Sequence, residues 1–304
     1  SHLSSFTRGA GGEIQVTDAM IALAKDQPFY GWTWPGRTYD CGSKAGYFAA
    51  TFAYAIARDD LLPAGTTQTQ PAALFHHATG TGVLFARRSW TPDAPWLSFM
   101  AGPYVESHAH QDQGAFNLFR DDWLAVTENI FTHSGIQQGT EVHNTLRFLN
   151  GSTPIPQNES TSSMTVSDSA GTLHVVANLT PAYSSSGVVT SWQRTLDLDA
   201  SGLTVHDSWS AAGGVTAVFQ VNTPTLPVVA GGVVTAGALR IRPVIPVSPT
   251  IAVVSWNGID PSEFYSGYKV ELRGGSGTYE VRLEVLDVLF NDGFESGNTS
   301  AWTP

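Results

Sequence analysis

From Gly82 onward the chain is built of short runs in which apolar and polar residues alternate, a spacing that sends every second side chain to one face of a β-strand. The pattern predicts strands over 83–90, 115–119, 123–128, 173–178, 190–198, 203–209, 216–222, 239–244, 251–256 and 279–288. Between them stand turn formers such as Asp168-Ser169-Ala170-Gly171, Asp199-Ala200-Ser201-Gly202 and Gly274-Gly275-Ser276-Gly277. So many short strands need two packed layers to bury their inner faces, so the expected fold is mainly β, a two-sheet antiparallel β-sandwich. Trp192, Trp209 and Trp256 are expected in its core or on its sheet faces.

The first 80 residues have another texture. A short helix is predicted over 16–25, with Thr17 as an N-cap candidate and Pro28 as a stop. A second is predicted over 44–58, where Ala45, Tyr47, Phe48, Phe52, Tyr54 and Ile56 leave almost no polar face and so demand burial on several sides. The expected organisation is a short helical segment and linker over 1–80, the sandwich over 81–290 and a polar, glycine-containing tail over 291–304.

Composition narrows the partners. A formal net charge of -11 argues against nucleic acid, which requires a basic surface, and an acidic ligand would need a local patch from Arg87, Arg88, Arg120, Arg147 or a metal. Cys41 is the sole cysteine, which excludes an internal disulfide and cysteine-rich metal sites. No apolar run reaches the ~18 residues of a membrane span, so no membrane partner is expected.

Four of the nine histidines, His108, His110, His133 and His143, fall in one stretch of the chain with Asp112 and Glu128 among them. Imidazole both titrates near neutrality and ligates metals, so this density points to metal or proton-transfer chemistry. On an extended strand His108, His110 and Asp112 would share one face.

The run His108-Ala109-His110-Gln111-Asp112-Gln113-Gly114-Ala115-Phe116, then Trp123-Leu124-Ala125-Val126-Thr127-Glu128, then His143-Asn144-Thr145, resembles the signature of the heparinase II/III-like polysaccharide lyases over about residues 82–150. That family joins an α/α toroid to a C-terminal β-sandwich, and the resemblance implies that residues 1–80 are at most the toroid's last helices. It implies β-elimination of a uronate-containing polysaccharide. His108 would be the catalytic histidine reaching the cleft, His133 an accessory acid and Tyr104 a further catalytic candidate; His110 and His143 would be zinc ligands. The family's third ligand, a carboxylate, falls at Thr127, so the chain departs from the pattern there and the neighbouring Glu128 is the substitute. Arg120 and Arg147 are candidate substrate contacts.

Two other classes fit the same residues: a non-catalytic sandwich that binds carbohydrate or docks a separate helical toroid, and a metal-dependent glycan hydrolase. Homo-oligomerisation is a further expectation. The ending Asp292-Gly293-Phe294-Glu295-Ser296-Gly297 resembles that of many exported bacterial proteins, which implies a secreted or periplasmic location.

Overall fold

A computed structural model of the chain describes residues 16–28, 70–91, 93–104, 110–127, 139–259, 261, 264 and 266–287. Contacts divide the chain into two units, Ser1–Thr69 and Gln70–Pro304. In the first, the helix Val16–Asp26 ends with Lys25 in its last turn, where a cation complements the helix dipole, and Pro28 follows. Thr17 falls inside this helix, one residue past its start. The expected helix 44–58, Cys41 and the tail 291–304 lie outside the described residues. No helix among the described residues is long and apolar enough to cross a membrane.

The second unit is a β-sandwich. Its largest sheet has eight strands in the order Ser163–Ser169, Thr172–Asn178, Val189–Asp199, Gly202–Ala211, Thr278–Val285, Leu239–Ile245, Val233–Ala236 and Val228–Ala230. A five-stranded meander, Phe75–Ala78, Val83–Arg87, Trp96–Met100, Phe116–Arg120 and Asp122–Ala125, forms a second sheet. A third runs Thr250–Ser255, Tyr268–Arg273, Val215–Thr223, Leu146–Asn150 and Thr153–Pro154. The two five-stranded sheets meet where Val126 N–H donates to Asn222 O (3.0 Å) and Phe116 N–H to Asn144 O (3.3 Å).

All three sheets contribute to one core. Strand Val189–Asp199 turns Trp192, Arg194, Leu196 and Leu198 inward, its partner turns Leu203, Val205 and Asp207 the same way, and Leu84, Leu97, Phe116, Leu118, Phe148 and Phe219 come from the two smaller sheets. Trp192 and Trp256 are fully buried, and Trp209 packs against the core. The alternating pattern therefore placed ten strands correctly, to within a few residues. It missed others, among them Trp96–Met100, Ser163–Ser169 and Tyr268–Arg273. Strand Phe75–Ala78 also begins ahead of residue 80.

Candidate active site

From His110 onward the H-x-H-x-D stretch is not a strand. Residues 110–115 form a loop that enters the strand only at Phe116, so alternation cannot align His110 with Asp112 as the sequence suggested. The cause is local. Gly114 adopts φ +81°, in the left-handed region that favours glycine, and a Cβ there would lie 2.6 Å from Trp192 Cη2. Side chains then pin the loop: Gln113 N–H donates to Gln157 Oε1 (2.9 Å), Gln157 Nε2 donates to Gln113 O (2.9 Å), Gln157 N–H donates to Gln111 Oε1 (2.9 Å), and Gly102 N–H donates to Gln113 Oε1 (3.1 Å).

His143-Asn144-Thr145 is likewise not a strand but the latch ahead of Leu146–Asn150. Asn144 Nδ2 donates to Phe116 O (2.8 Å) while Asn144 Oδ1 accepts from Asn222 N–H (2.6 Å). Thr145 Oγ1 donates to Gln113 O (3.2 Å). These bonds clip the segment to the pinned loop and to strand Val215–Thr223, and Gln220 Nε2 holds the His143 carbonyl at 2.6 Å.

The outcome is a pair of imidazoles from residues 33 apart in sequence: His110 Nδ1 lies 3.3 Å from His143 Nε2. The rings cross at 64° with centroids 5.2 Å apart. His143 Nδ1 is 3.2 Å from Thr127 Oγ1, and Thr127 N–H donates to Asn117 Oδ1 (2.7 Å). The threonine engages Nδ1, which leaves Nε2 as the nitrogen that faces His110. Beside the pair, Asp112, Asn117 and Thr127 line a small cavity of about 120 Å³. Burial pushes the Asp112 carboxyl up to about 6. Tyr104, half-buried in a short strand paired with Ser160–Thr161, has its phenol raised by burial and by the charges of Glu159 and Asp112, so it is protonated at neutral pH.

Does this arrangement suit a zinc ion? Two nitrogens held at ~2.0–2.1 Å from one tetrahedral centre are separated by roughly 3.3 Å, the spacing of the two histidines. The pair fits as part of a ligand set. Among the described residues no group of three or more His, Cys, Asp and Glu side chains comes together to hold a metal ion. Glu128, His108 and His133 lie outside the described residues.

The two candidate anion contacts are engaged elsewhere. Arg120 pairs with Asp287 (2.9 Å) and donates to Leu286 O (2.7 Å). Arg147 pairs with Glu271 at 2.6 Å in a buried network that includes Lys269.

Sequence reasoning missed the residues that hold the two loops together. Arg194 is fully buried, donates from Nη1 to Gly114 O (2.6 Å) and pairs through Nη2 with Asp207 Oδ2 (2.7 Å). An arginine at an inward position of an alternating strand was the available signal.

No protein-family model matches the chain. The fold resembles heparan sulfate lyase HepC from Pedobacter heparinus, with a TM-score of 0.62 and 17% identity over 93% of this chain and 50% of that one. It also resembles a heparinase III, the BT4657 gene product, with a TM-score of 0.62 and 13% identity over 78% of this chain and 41% of that one. The shared property is the fold of a heparinase-like lyase's β-sandwich, and this chain spans half or less of those structures. A different likeness is short: 49% identity over 43 residues to the UTP–glucose-1-phosphate uridylyltransferase of Komagataeibacter xylinus, and 41% over 59 residues to that of Bacillus subtilis. These matches span 15% and 20% of the two curated relatives.

Proposed function

We propose that the chain is the sandwich part of a heparinase II/III-like polysaccharide lyase that cleaves uronate-containing polysaccharide by β-elimination. The observation that carries this reading is the convergence of His110 and His143 at 3.3 Å on a sandwich of heparinase III type. In the reaction a base removes the proton on the carbon bearing the carboxylate, the bond from the neighbouring carbon to the glycosidic oxygen breaks, a carbon–carbon double bond forms, and the leaving oxygen takes up a proton. The costly feature is negative charge building on the carboxylate.

His108 is assigned to that carboxylate, as a neutralising or proton-accepting group. Tyr104, held protonated, suits the donor to the leaving oxygen, and His133 is the accessory acid. His110 and His143 are assigned as zinc ligands with Glu128 as the third. A bound zinc would supply positive charge that stabilises the developing anion and fixes the loop. Thr127 orients His143 through its Nδ1, the role that an outer partner plays for a ligating imidazole. The substrate is an acidic polysaccharide, and a secreted or periplasmic location is proposed with it.

The test is absorbance near 235 nm, where the unsaturated uronate absorbs, on a panel of acidic polysaccharides with and without chelator. Product formation that falls on chelation supports the reading. Cleavage without the chromophore would favour a hydrolase, and binding without cleavage a carbohydrate-binding or toroid-docking sandwich.

The short uridylyltransferase matches favour a second reading for the first unit alone. A stretch of 43 to 59 residues fits within Ser1–Thr69, which would then be a nucleotidyltransferase-type segment rather than the end of a toroid. A fragment beginning at Gln70 that keeps the thermal stability of the whole chain is the expected result; loss of the fold would return unit one to the lyase.

A further inference from the structure

The meander sheet buries one face in the core and carries an aromatic row on the other. Register places Arg87 opposite Trp96, Trp96 opposite Phe119, and Phe119 opposite Trp123, so these side chains form one line across four strands. The rings touch: centroids are 5.0 Å apart for Trp96 and Phe119 and 5.3 Å for Phe119 and Trp123. One rung along, Phe85 stands 51% exposed and extends the row into an apolar patch on this face.

At the end of this row a cavity of about 480 Å³ is lined by His76, Phe85, Arg87, Trp90 and Trp96. Its size falls in the ~300–1,000 Å³ range of small-ligand sites. Trp90 is set in place by its indole N–H, which donates to Pro71 O (2.8 Å). The Arg87 guanidinium lies 5.0 Å from the Trp90 ring centre and donates to the carbonyls of Ser89 and Thr91. It meets no carboxylate among the described residues, so its charge is not neutralised there, in contrast to Arg88, which pairs with Asp168. The wall adjoins the smaller cavity lined by Asp112, Asn117 and Thr127, because Phe85 lines both.

We infer that this cavity is a subsite for an acidic sugar unit, which stacks its apolar face on Trp90 and Trp96 and sets a carboxylate or sulfate against Arg87. Flat aromatic rings supply contact area without hydrogen-bond demands, and a guanidinium matches a planar or tetrahedral anion through its fork of donors. A neutral glycan would leave the cation unanswered, and an apolar peptide would bury it unpaired. The inference rests on the lyase reading for the class of polymer, but it is tested by binding, independently of turnover.

The experiment is calorimetric titration of the whole chain with three hexasaccharides: one derived from heparan sulfate, one from an unsulfated polyuronate, and neutral maltohexaose. Saturable binding of at least one acidic hexasaccharide and none of maltohexaose is expected, and comparison of the acidic pair assigns the anion to sulfate or carboxylate. Trp90→Ala and Arg87→Gln should each weaken it at least tenfold with an unchanged circular dichroism spectrum, and Trp90→Phe should restore most of the affinity. Equal binding of the neutral sugar, no binding of any acidic one, or full affinity in both Trp90→Ala and Arg87→Gln would overturn the subsite. Binding that follows the variants without any product at 235 nm would remove the lyase reading and leave the subsite standing. Product formed normally by variants whose affinity is unchanged would do the reverse.

Discussion

Arg194 Nη1 lies 2.6 Å from the Gly114 carbonyl, which ties the fully buried guanidinium of one sheet to the loop that carries His110 on another. Asp207 neutralises it through two bonds, Nε to Oδ1 (2.8 Å) and Nη2 to Oδ2 (2.7 Å). Removing the carboxylate leaves a charge buried without a partner, a loss of about 3–5 kcal/mol. Asp207→Asn is therefore expected to lower the unfolding free energy by that order in a urea titration, whereas an unchanged midpoint would mean the pair is not buried in solution.

Gly114 sits where both its backbone and its surroundings exclude a side chain. With φ at +81° and a Cβ 2.6 Å from Trp192 and 2.7 Å from Leu179, Gly114→Ala must displace the loop or the core beneath it. Overpacking of this kind costs about 1–3 kcal/mol. A fall of several degrees in melting temperature is expected by differential scanning calorimetry.

The side-chain amide of Asn144 links two sheets, alongside the backbone bond from Phe116 N–H to Asn144 O. Asn144→Ala leaves the Asn222 N–H and Phe116 carbonyl buried without these partners, a penalty of roughly 1–3 kcal/mol for each group. Asn144→Asp keeps the acceptor but loses the donor, and it should fall between the wild type and Asn144→Ala in thermal unfolding. Equal stability of all three would contradict the latch.

Glu271 sets the acid limit. Burial pushes its carboxyl up, but Lys269, Arg273 and Arg147 outweigh that and hold it below its ordinary value of 4.5. A depressed folded pKa contributes stability that is present above the unfolded pKa and disappears as pH falls through the folded one. Stability should thus be retained down to about 4.5 and decline below it. Glu271→Gln, which leaves Lys269 without its carboxylate and Arg147 with only Glu141 at 3.8 Å, should be destabilised by about 3–5 kcal/mol already at pH 7 and should lose much of the acid-dependent decline. An unchanged pH profile in Glu271→Gln would assign that decline to other carboxylates.

The strands that alternation revealed are those with one face in the core, such as Val189–Asp199 and Gly202–Ala211, where inward and outward positions differ in kind. Trp96–Met100 escaped because Trp96, Phe99 and Met100 set apolar side chains on both faces, the outer one serving the aromatic row. His108 to Asp112 mimics alternation, yet Gly114 and the glutamine bonds make its described part a loop. The meeting of His110 with His143 could be expected only from the resemblance, since no periodicity relates residues on different sheets. The link from Arg194 to both loops needed the strand register, which composition does not encode.

The imidazole pair is proposed as the metal-holding centre of a lyase, and the direct measurement is the rate of 235 nm absorbance increase on uronate polysaccharide for wild type, His110→Ala and His143→Ala, with zinc measured in the same preparations. Each substitution is expected to lower the rate by about 10²-fold or more and to remove the metal while the fold persists. Wild-type rates in both variants, from preparations equally folded, would contradict it.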